Sequence, residues 1–485
     1  IMIKQKNIFL TFLLIGCFSS IKATEIKGLT INSFAGKTAN LVEYADYVTK
    51  DFKIISSTII DDKGKFNFNI DLKKTKQTII QIDYLIGIIY LDPNQEYSVY
   101  FPPISEDGTY KLTRNNVNLV FKTIPDNDIN GYIMEFDRNY DQFLLDNRYK
   151  VGTKLFHSKL DTFRRAMLDT FGLVKNDFFE KYVTYSIADM ELVAPSSYQK
   201  INKISVYNKY IINRKIDYQH PVQMKFLMNF YEKALKNQMG KTGIAINTSL
   251  TTYPSYVSMD TMLNKDYFFK MQSIRELVVA ENLYTLFYDV QYDPNAMIDV
   301  LQELKSVTTT PELNTLITNV TNKLIRLQPG TQAFPFELID KNGERVTLES
   351  FKGKYVYINF WAVWNKDSQA EMELFQTMKE EYGDIVEFVS INIDSKVSKF
   401  NNFVASHPDY DWTMLYYGGD ANLLDNYEVF NAPQYVLIDA EGKIVSAPAN
   451  GPAPNGDYIS IDKTFFDLKK KLKKQKRFIP GQKND

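Results

Sequence analysis

Short alternating runs of apolar and polar residues predict β-strands in the first part of the chain. The runs are rich in β-branched and aromatic residues, and residues 66–70 (FNFNI) follow a turn signal, DDKGK, and alternate as a half-buried strand does. The predicted strands are 26–31, 39–44, 52–60, 66–70, 79–83, 86–91 and 96–101. Strands at this spacing predict a small, all-β antiparallel sandwich at residues 25–105.

The pattern changes to helical periodicity over residues 126–328. Ile133, Phe136, Tyr140 and Phe143 recur at spacings of three and four, which stacks them on one face of a helix. Further helices are predicted at 155–171, 177–192, 222–235, 267–287 and 313–327. We interpret the aromatic stripes of this mainly α-helical region as a packed core, because such stripes are the usual buried faces of helices.

A third pattern, strands alternating with helices, follows the linker signal LQPG and covers residues 331–475. Residues 355–360 are a nearly continuous apolar strand, and 385–393 are another. The remaining predicted elements are helices 368–382, 399–406 and 465–472 and strands 434–438 and 443–446. Buried strands between helices predict an α/β sheet that is covered on both faces.

Residues 1–23 have the pattern of a secretory signal segment. Lys4 and Lys6 precede an apolar run, residues 8–18, that is too short for a permanent membrane anchor. Two processing routes remain open. Residues 14–17 (LIGC) resemble a bacterial lipobox, which would make Cys17 the lipidated first residue, whereas ordinary cleavage would follow Ala23. Either route predicts a secreted protein of the periplasm or outer membrane.

The charge balance excludes a generally basic protein, because the formal net charge is −1. No overall basic field exists to hold nucleic acid. A basic and polar tail is predicted at residues 476–485, and cations are frequent just before it at Lys469, Lys470, Lys471, Lys473, Lys474, Lys476 and Arg477. We interpret this run as a solvated helix end, with attraction to an acidic surface as the alternative.

Several landmarks of the third region occur in the order and spacing of one known family. They are an opening strand at 333–338, a hairpin turn at 340–343, the entry to the central strand at 348–354, the aromatic run FWAVW at 360–364, the pair Ala432 and Pro433, and a late hairpin at 439–445. Residues 331–472 thus resemble the secreted TlpA/ResA-type thioredoxin-like disulfide reductases. The strand-rich first region likewise resembles the β-sandwich modules that precede thioredoxin domains. The resemblance implies a thioredoxin fold with a cis bond before Pro433.

The resemblance also implies an active-site motif Trp-Cys-x-x-Cys, and this chain departs from it. The corresponding segment is Trp364, Asn365, Lys366, Asp367 and Ser368, so an amide and a hydroxyl stand at the two sulfur positions. An amide cannot form a mixed disulfide, and a hydroxyl cannot resolve one. Since the chain has a single cysteine, far from this segment, we predict that it is not a working thiol-disulfide oxidoreductase.

The candidate residues for a non-thiol chemistry at this segment are Asp367, Ser368 and Glu371, the last of which stands where the family often has a glutamate. None of these has a histidine nearby in sequence, and the histidines are at positions 157, 220 and 407. We expect structural roles for all of them. The sequence contains no metal-ligand pattern, P-loop or dinucleotide fingerprint, so no cofactor and no metal are predicted.

The leading hypothesis is a redox-inactive thioredoxin-fold protein that binds a protein or peptide in the cell envelope, or assists assembly there. By analogy with the fold, the candidate peptide-binding residues are Trp364, Asn365, Ala432, Pro433 and Gln434, because an extended peptide can pair beside the cis-proline loop. The alternatives are an enzyme of non-thiol chemistry and a structural accessory of an outer-membrane complex. A lipidated Cys17 would favour the second alternative.

Overall fold

The structure is a computed structural model and describes residues 23–103, 115–124, 127–193, 199–394, 396–454 and 459–477. The predicted signal segment up to residue 22, with Cys17, lies outside the described residues, as does the predicted tail from residue 478. Within the described part, no helix is both long and apolar enough to cross a membrane.

The first region forms two β-sheets that share one apolar core. The strands are β1 (Thr24–Leu29), β2 (Thr38–Tyr44), β3 (Phe52–Ile59), β4 (Lys65–Ile70), β5 (Lys76–Ile82), β6 (Leu85–Leu91), β7 (Glu96–Tyr100), β8 (Asn115–Asn116) and β9 (Val120–Thr123). One sheet has the order β4-β1-β7-β9 and the other β3-β2-β5-β6-β8. Ile26 and Phe68 of the first sheet and Leu41 and Ile80 of the second belong to the common core, so the alternating pattern marks the buried faces.

The expectation of a purely antiparallel sandwich is wrong. β1 pairs antiparallel with β4 but parallel with β7, where Ile26 lies opposite Tyr97, and β6 pairs parallel with β8. Local alternation identifies a strand but does not specify its partner or direction. The strands β8 and β9 follow residue 105, outside the predicted range, because both are short and carry no alternating pattern.

The middle region is helical. Its helices are α1 (Ile129–Asn147), α2 (Lys154–Phe171), α3 (Asp177–Leu192), α4 (Gln199–Tyr210), α5 (Pro221–Phe230), α6 (Gly240–Ser249), α7 (Tyr256–Leu263), α8 (Gln272–Leu286), α9 (Pro294–Val307) and α10 (Pro311–Ile325). The predicted helix 222–235 ends early, at Phe230. The reason is the buried Asn282 of α8, whose amide binds the backbone of Leu235 (2.9 Å) and Tyr231 (3.2 Å) and holds them in a turn.

Buried and half-buried polar contacts join the helices to the sheets. Asn130 of α1 binds both the backbone N–H and the carbonyl of Tyr90, at 2.9 and 2.7 Å. On α10, the ammonium group of Lys323 lies 2.6 Å from the Asp51 carboxylate. Because each contact joins residues far apart in sequence, the helices and the sheets are held in a defined relative position.

The third region is a seven-stranded mixed sheet of order β11-β10-β14-β13-β12-β15-β16. The strands are β10 (Glu337–Asp340), β11 (Arg345–Thr347), β12 (Tyr355–Trp361), β13 (Val386–Asn392), β14 (Thr413–Tyr416), β15 (Gln434–Ile438) and β16 (Ile444–Ala449). The helices are α11 (Lys366–Tyr382), α12 (Val397–Ser406), α13 (Ala421–Asn426) and α14 (Ile461–Arg477). The strands β12, β13 and β14 are parallel, and β15 runs antiparallel to β12.

Both faces of this sheet are covered, as the continuous apolar strands predicted. Tyr357 and Trp361 of β12 pack with α11, α12 and α14 on one side. Ile358 and Phe360 pack on the other side with α13 and with Phe336. The loop of residues 362–365 joins the carboxyl end of β12 to α11, at the edge of the sheet where the parallel strands end.

Candidate functional site

Residues 364–368, which correspond to the family's Trp-Cys-x-x-Cys motif, lie at the start of α11. Asn365 is the N-cap of this helix, and its side-chain oxygen accepts a hydrogen bond from the Ser368 N–H at 2.8 Å. Asn is a favoured cap because its short side chain reaches the unpaired N–H groups of the first turn. Asp367 lies in that first turn, where a negative charge favours the positive helix end.

The Asn365 side chain also reaches the cis-proline loop. Its amide nitrogen donates to the Ala432 carbonyl at 2.7 Å, and the bond between Ala432 and Pro433 is cis, which confirms that prediction. The two hydrogen bonds together fix the orientation of the amide, because its oxygen must accept and its nitrogen must donate. Asn365 thus bridges the helix start and the loop before β15.

Ser368 is fully buried, and its hydroxyl has no hydrogen-bond partner in the described part of the chain. No histidine activates it. The His220 ring caps α5 and contacts the Phe178 carbonyl at 3.0 Å, and burial lowers the pKa of that imidazole to about 4. His407 contacts the carbonyl of Phe403 at 2.8 Å. The described residues therefore contain no base in contact with this hydroxyl.

Glu371 belongs to the second turn of α11 and is half-buried. It accepts a hydrogen bond from the Tyr435 hydroxyl at 2.5 Å. Burial raises the pKa of Glu371 and the charge of Asp367 adds to the effect, while the hydrogen bond from Tyr435 opposes it. Among the described residues there is also no cluster of three or more acidic, histidine or cysteine side chains suited to a metal ion.

Two tryptophans of the aromatic run have different surroundings. Trp361 is buried, with its ring centroid 4.6 Å from that of Phe403. Trp364 is 44% exposed beside the helix start, and Phe430, in the loop before Pro433, is 60% exposed. The motif thus carries one core ring and one surface ring.

Sequence reasoning missed the residues that hold the loop between β12 and α11. The Val363 N–H donates to the buried Asp394 carboxylate at 2.7 Å, and the Val363 carbonyl accepts from Gln369 at 2.6 Å. Asn392 donates to the same carboxylate at 2.9 Å. Asp394 could have been found from its position just past a buried parallel strand, because polar residues meet there at the sheet edge.

The cis-proline loop is held from a second direction by the helical region. Arg326, which follows α10, donates to the Asp425 carbonyl, to Asn426 and to Glu428 at 3.0, 3.0 and 3.2 Å. Gln434 donates to the carbonyls of residues 427 and 428 at 3.2 and 3.1 Å. Arg326 was not predicted, because its partners lie about a hundred positions away.

Comparison with known proteins agrees with this geometry. The AhpC/TSA family profile matches residues 329–447. The chain is 31% identical over 122 residues to the thioredoxin-like protein YneN of Bacillus subtilis, covering 25% of this chain and 72% of that protein. It is 29% identical over 132 residues to the thiol-disulfide oxidoreductase ResA of Bacillus cereus, covering 27% and 75%.

A solved putative thiol-disulfide oxidoreductase from Bacteroides vulgatus is also similar. It shares 29% sequence identity, with a TM-score of 0.26, and the match covers 30% of this chain and 93% of that one. The sole cysteine, Cys17, lies outside the region that the family profile matches. Through its C-terminal domain, the chain belongs to the thioredoxin-like family that includes YneN and ResA, as a member without cysteine in that domain.

Proposed function

We propose that this protein binds a protein or peptide partner, or assists assembly, on a thioredoxin fold that has lost its redox chemistry. The family's reaction needs a thiolate that attacks a disulfide and a second thiol that resolves the mixed disulfide. Residues 329–447 contain no cysteine. The protein therefore has the fold of a reductase without the sulfur atoms on which the reaction depends.

The observation that carries the proposal is the pair of hydrogen bonds made by Asn365. The amide binds the Ser368 N–H at 2.8 Å and the Ala432 carbonyl at 2.7 Å. A side chain engaged on both sides has a structural role, and an amide has no nucleophilic one. The helix start and the cis-proline loop thus remain in place without a reactive group between them.

The partner-binding surface that we propose lies around this bridge. Trp364 and Phe430 are exposed there, and aromatic rings at a surface are frequent anchors of protein interfaces. The Ala432 carbonyl already accepts one bond from Asn365, but a carbonyl oxygen has a second lone pair for an added strand. We therefore propose that Trp364, Asn365, Ala432, Pro433 and Gln434 border the partner.

We place this activity in the cell envelope, in the periplasm or at the outer membrane. The support is the signal-like pattern of residues 1–23, with its lipobox-like end at Cys17. Whether Cys17 is lipidated or removed distinguishes a membrane-tethered protein from a free one.

The redox part of the proposal is tested by insulin reduction with the purified protein and dithiothreitol, beside an active family member as positive control. We expect turnover at the buffer rate. Turnover above it, after removal of contaminating reductases, would contradict the proposal.

The binding part is tested by crosslinking in intact cells through a photoreactive residue at Trp364 or Phe430, followed by mass spectrometry. A matched control carries the same residue at Tyr253, which is 73% exposed on the helical region. A specific adduct at positions 364 and 430 and not at 253 supports the site. The same adducts at all three positions, or none, would refute it.

A further inference from the structure

Helix α14, the last helix in the described part of the chain, packs against the sheet by one face. Ile461 and Phe465 of α14 are buried, and the Phe465 ring lies 5.5 Å from that of Tyr382. At the border of this face, the Lys469 ammonium lies 3.0 Å from Asp384. These contacts fix the rotation of the helix about its axis and thereby decide which side chains point away from the protein.

The opposite face of α14 is a stripe of lysines. Lys463, Lys470 and Lys474 follow one another at spacings of seven and four, which places them on the same side of a helix, and all three are exposed. Lys471 and Lys473 are exposed beside them. In the part of the chain that the structure describes, no ion pair or side-chain hydrogen bond engages these five ammonium groups.

An apolar ring lies on the same face. Phe466 is 54% exposed and precedes Lys470 by one helical turn. Asp467 is an acidic residue of this face, whereas Asp462 accepts a hydrogen bond from Tyr382 at 2.9 Å. Among the described residues of this face, five lysines stand beside one carboxylate, that of Asp467, so the face is strongly basic on a chain whose formal net charge is −1.

We propose that the outer face of α14 binds the surface of an anionic lipid membrane. Lysines near such a surface are attracted to its acidic headgroups, and an exposed aromatic ring can enter the headgroup region. A fluid surface suits these side chains because lipids rearrange around long lysine side chains, which no ion pair or hydrogen bond within the described residues orients. Nucleic acid fits less well, since the chain as a whole is not basic and the stripe offers one ring, not a series.

The experiment is co-sedimentation of the full-length protein with vesicles. One set contains phosphatidylglycerol with phosphatidylcholine, and the other contains phosphatidylcholine alone. We expect binding to the anionic vesicles that weakens as salt is added, because the attraction is screened. A lipid anchor at Cys17 would bind both kinds of vesicle alike. The difference in binding between the two sets therefore measures the contribution of α14.

The triple variant Lys463→Glu, Lys470→Glu, Lys474→Glu should lose about tenfold or more of the anionic binding, since each lysine near the surface contributes substantially. The matched control, Lys63→Glu, Lys65→Glu, Lys73→Glu, changes the net charge equally on exposed residues of the β-sheet region and should bind as the wild type does. If the triple variant does not fold, the milder pair Lys470→Gln, Lys474→Gln replaces it, with an expected loss of several-fold.

The substitution Phe466→Ser measures the contribution of the aromatic ring to vesicle binding separately from that of the lysines. We expect a further loss of a few-fold with the salt dependence unchanged, because only the apolar contact is removed. Equal binding to neutral and anionic vesicles, equal loss in the control variant, or binding to an acidic polypeptide without binding to vesicles would overturn the proposal.

Discussion

Removing the Asn365 side chain tests how much its two hydrogen bonds stabilise the helix start and the cis-proline loop. In Asn365→Ala the cap on the Ser368 N–H (2.8 Å) and the bond to the Ala432 carbonyl (2.7 Å) are both lost. A lost cap typically costs ~1 kcal/mol and a lost neutral hydrogen bond ~1 kcal/mol. We therefore expect ~2 kcal/mol of local destabilisation, which corresponds to roughly thirtyfold in an opening equilibrium.

The assay is amide hydrogen exchange, because it reports the opening of individual backbone amides in the native protein. The Ser368 amide and the amides of residues 429–432 and 434 should exchange faster in Asn365→Ala. Asn365→Asp keeps an acceptor for the cap but has no donor for the Ala432 carbonyl. It should therefore protect Ser368 as the wild type does while the loop exchanges roughly fivefold faster, as the loss of ~1 kcal/mol requires.

A matched control removes a helix cap whose side-chain hydrogen bond stays within its own helix start. Ser255 caps α7 by accepting from the Ser258 N–H at 3.2 Å, and Ser255→Ala should affect only the start of that helix. If Asn365→Ala leaves the loop at residues 429–434 as protected as Ser255→Ala does, Asn365 does not bridge the helix and the loop. The structural role that we assign to this residue would then be wrong.

The remaining predictions concern redox chemistry, pH and the helical region. The double variant Asn365→Cys, Ser368→Cys should close a disulfide under mild oxidant, detected as a loss of two hydrogens by mass spectrometry, because the positions are three apart at a helix start. Burial lowers the pKa of His220 to about 4, below the usual 6.5. Its neutral ring therefore contributes fully above pH 6.5, and ~3 kcal/mol of stability is lost as pH falls towards 4. His220→Asn should flatten that acid limb in urea melts, and an unchanged slope would contradict the assignment. Arg326→Met should speed amide exchange in the loop it contacts by roughly tenfold, the loss expected for a charge-assisted hydrogen bond, whereas Arg345→Met, at an exposed ion pair, should not.

Elements with strong local patterns were predictable. Strand β15 occurs where the sequence placed it, at Gln434–Ile438, and helix α3 at Asp177–Leu192. Strand β15 is a nearly continuous apolar run that is buried on both faces, and apolar residues of α3 recur at spacings of three and four, so both elements are recognisable from the local sequence. Helix α6 is different, because Gly240–Ser249 buries only Ile246 and Ser249. It was not predicted individually, and its helical form depends on the neighbours against which it packs.

Pairing was not predictable from periodicity. The parallel neighbours β1 and β7 are separated by about seventy residues, and their alternation is equally compatible with either direction. Strand β14 (Thr413–Tyr416) was missed for a related reason. It is four residues long and acquires its position from β13 and β10 on its two sides.

At the site, the sequence by itself determined which reactive atoms are present. Sulfur is absent from positions 365 and 368, and no fold can supply it. Only the tertiary structure decided which groups the replacing side chains contact. Asn365 meets Ala432, 67 residues away, and Arg326 meets Glu428, 102 residues away. The reactions open to a residue depend on the atoms of its own side chain. Its contacts depend on the packing of strands and helices that are distant along the chain.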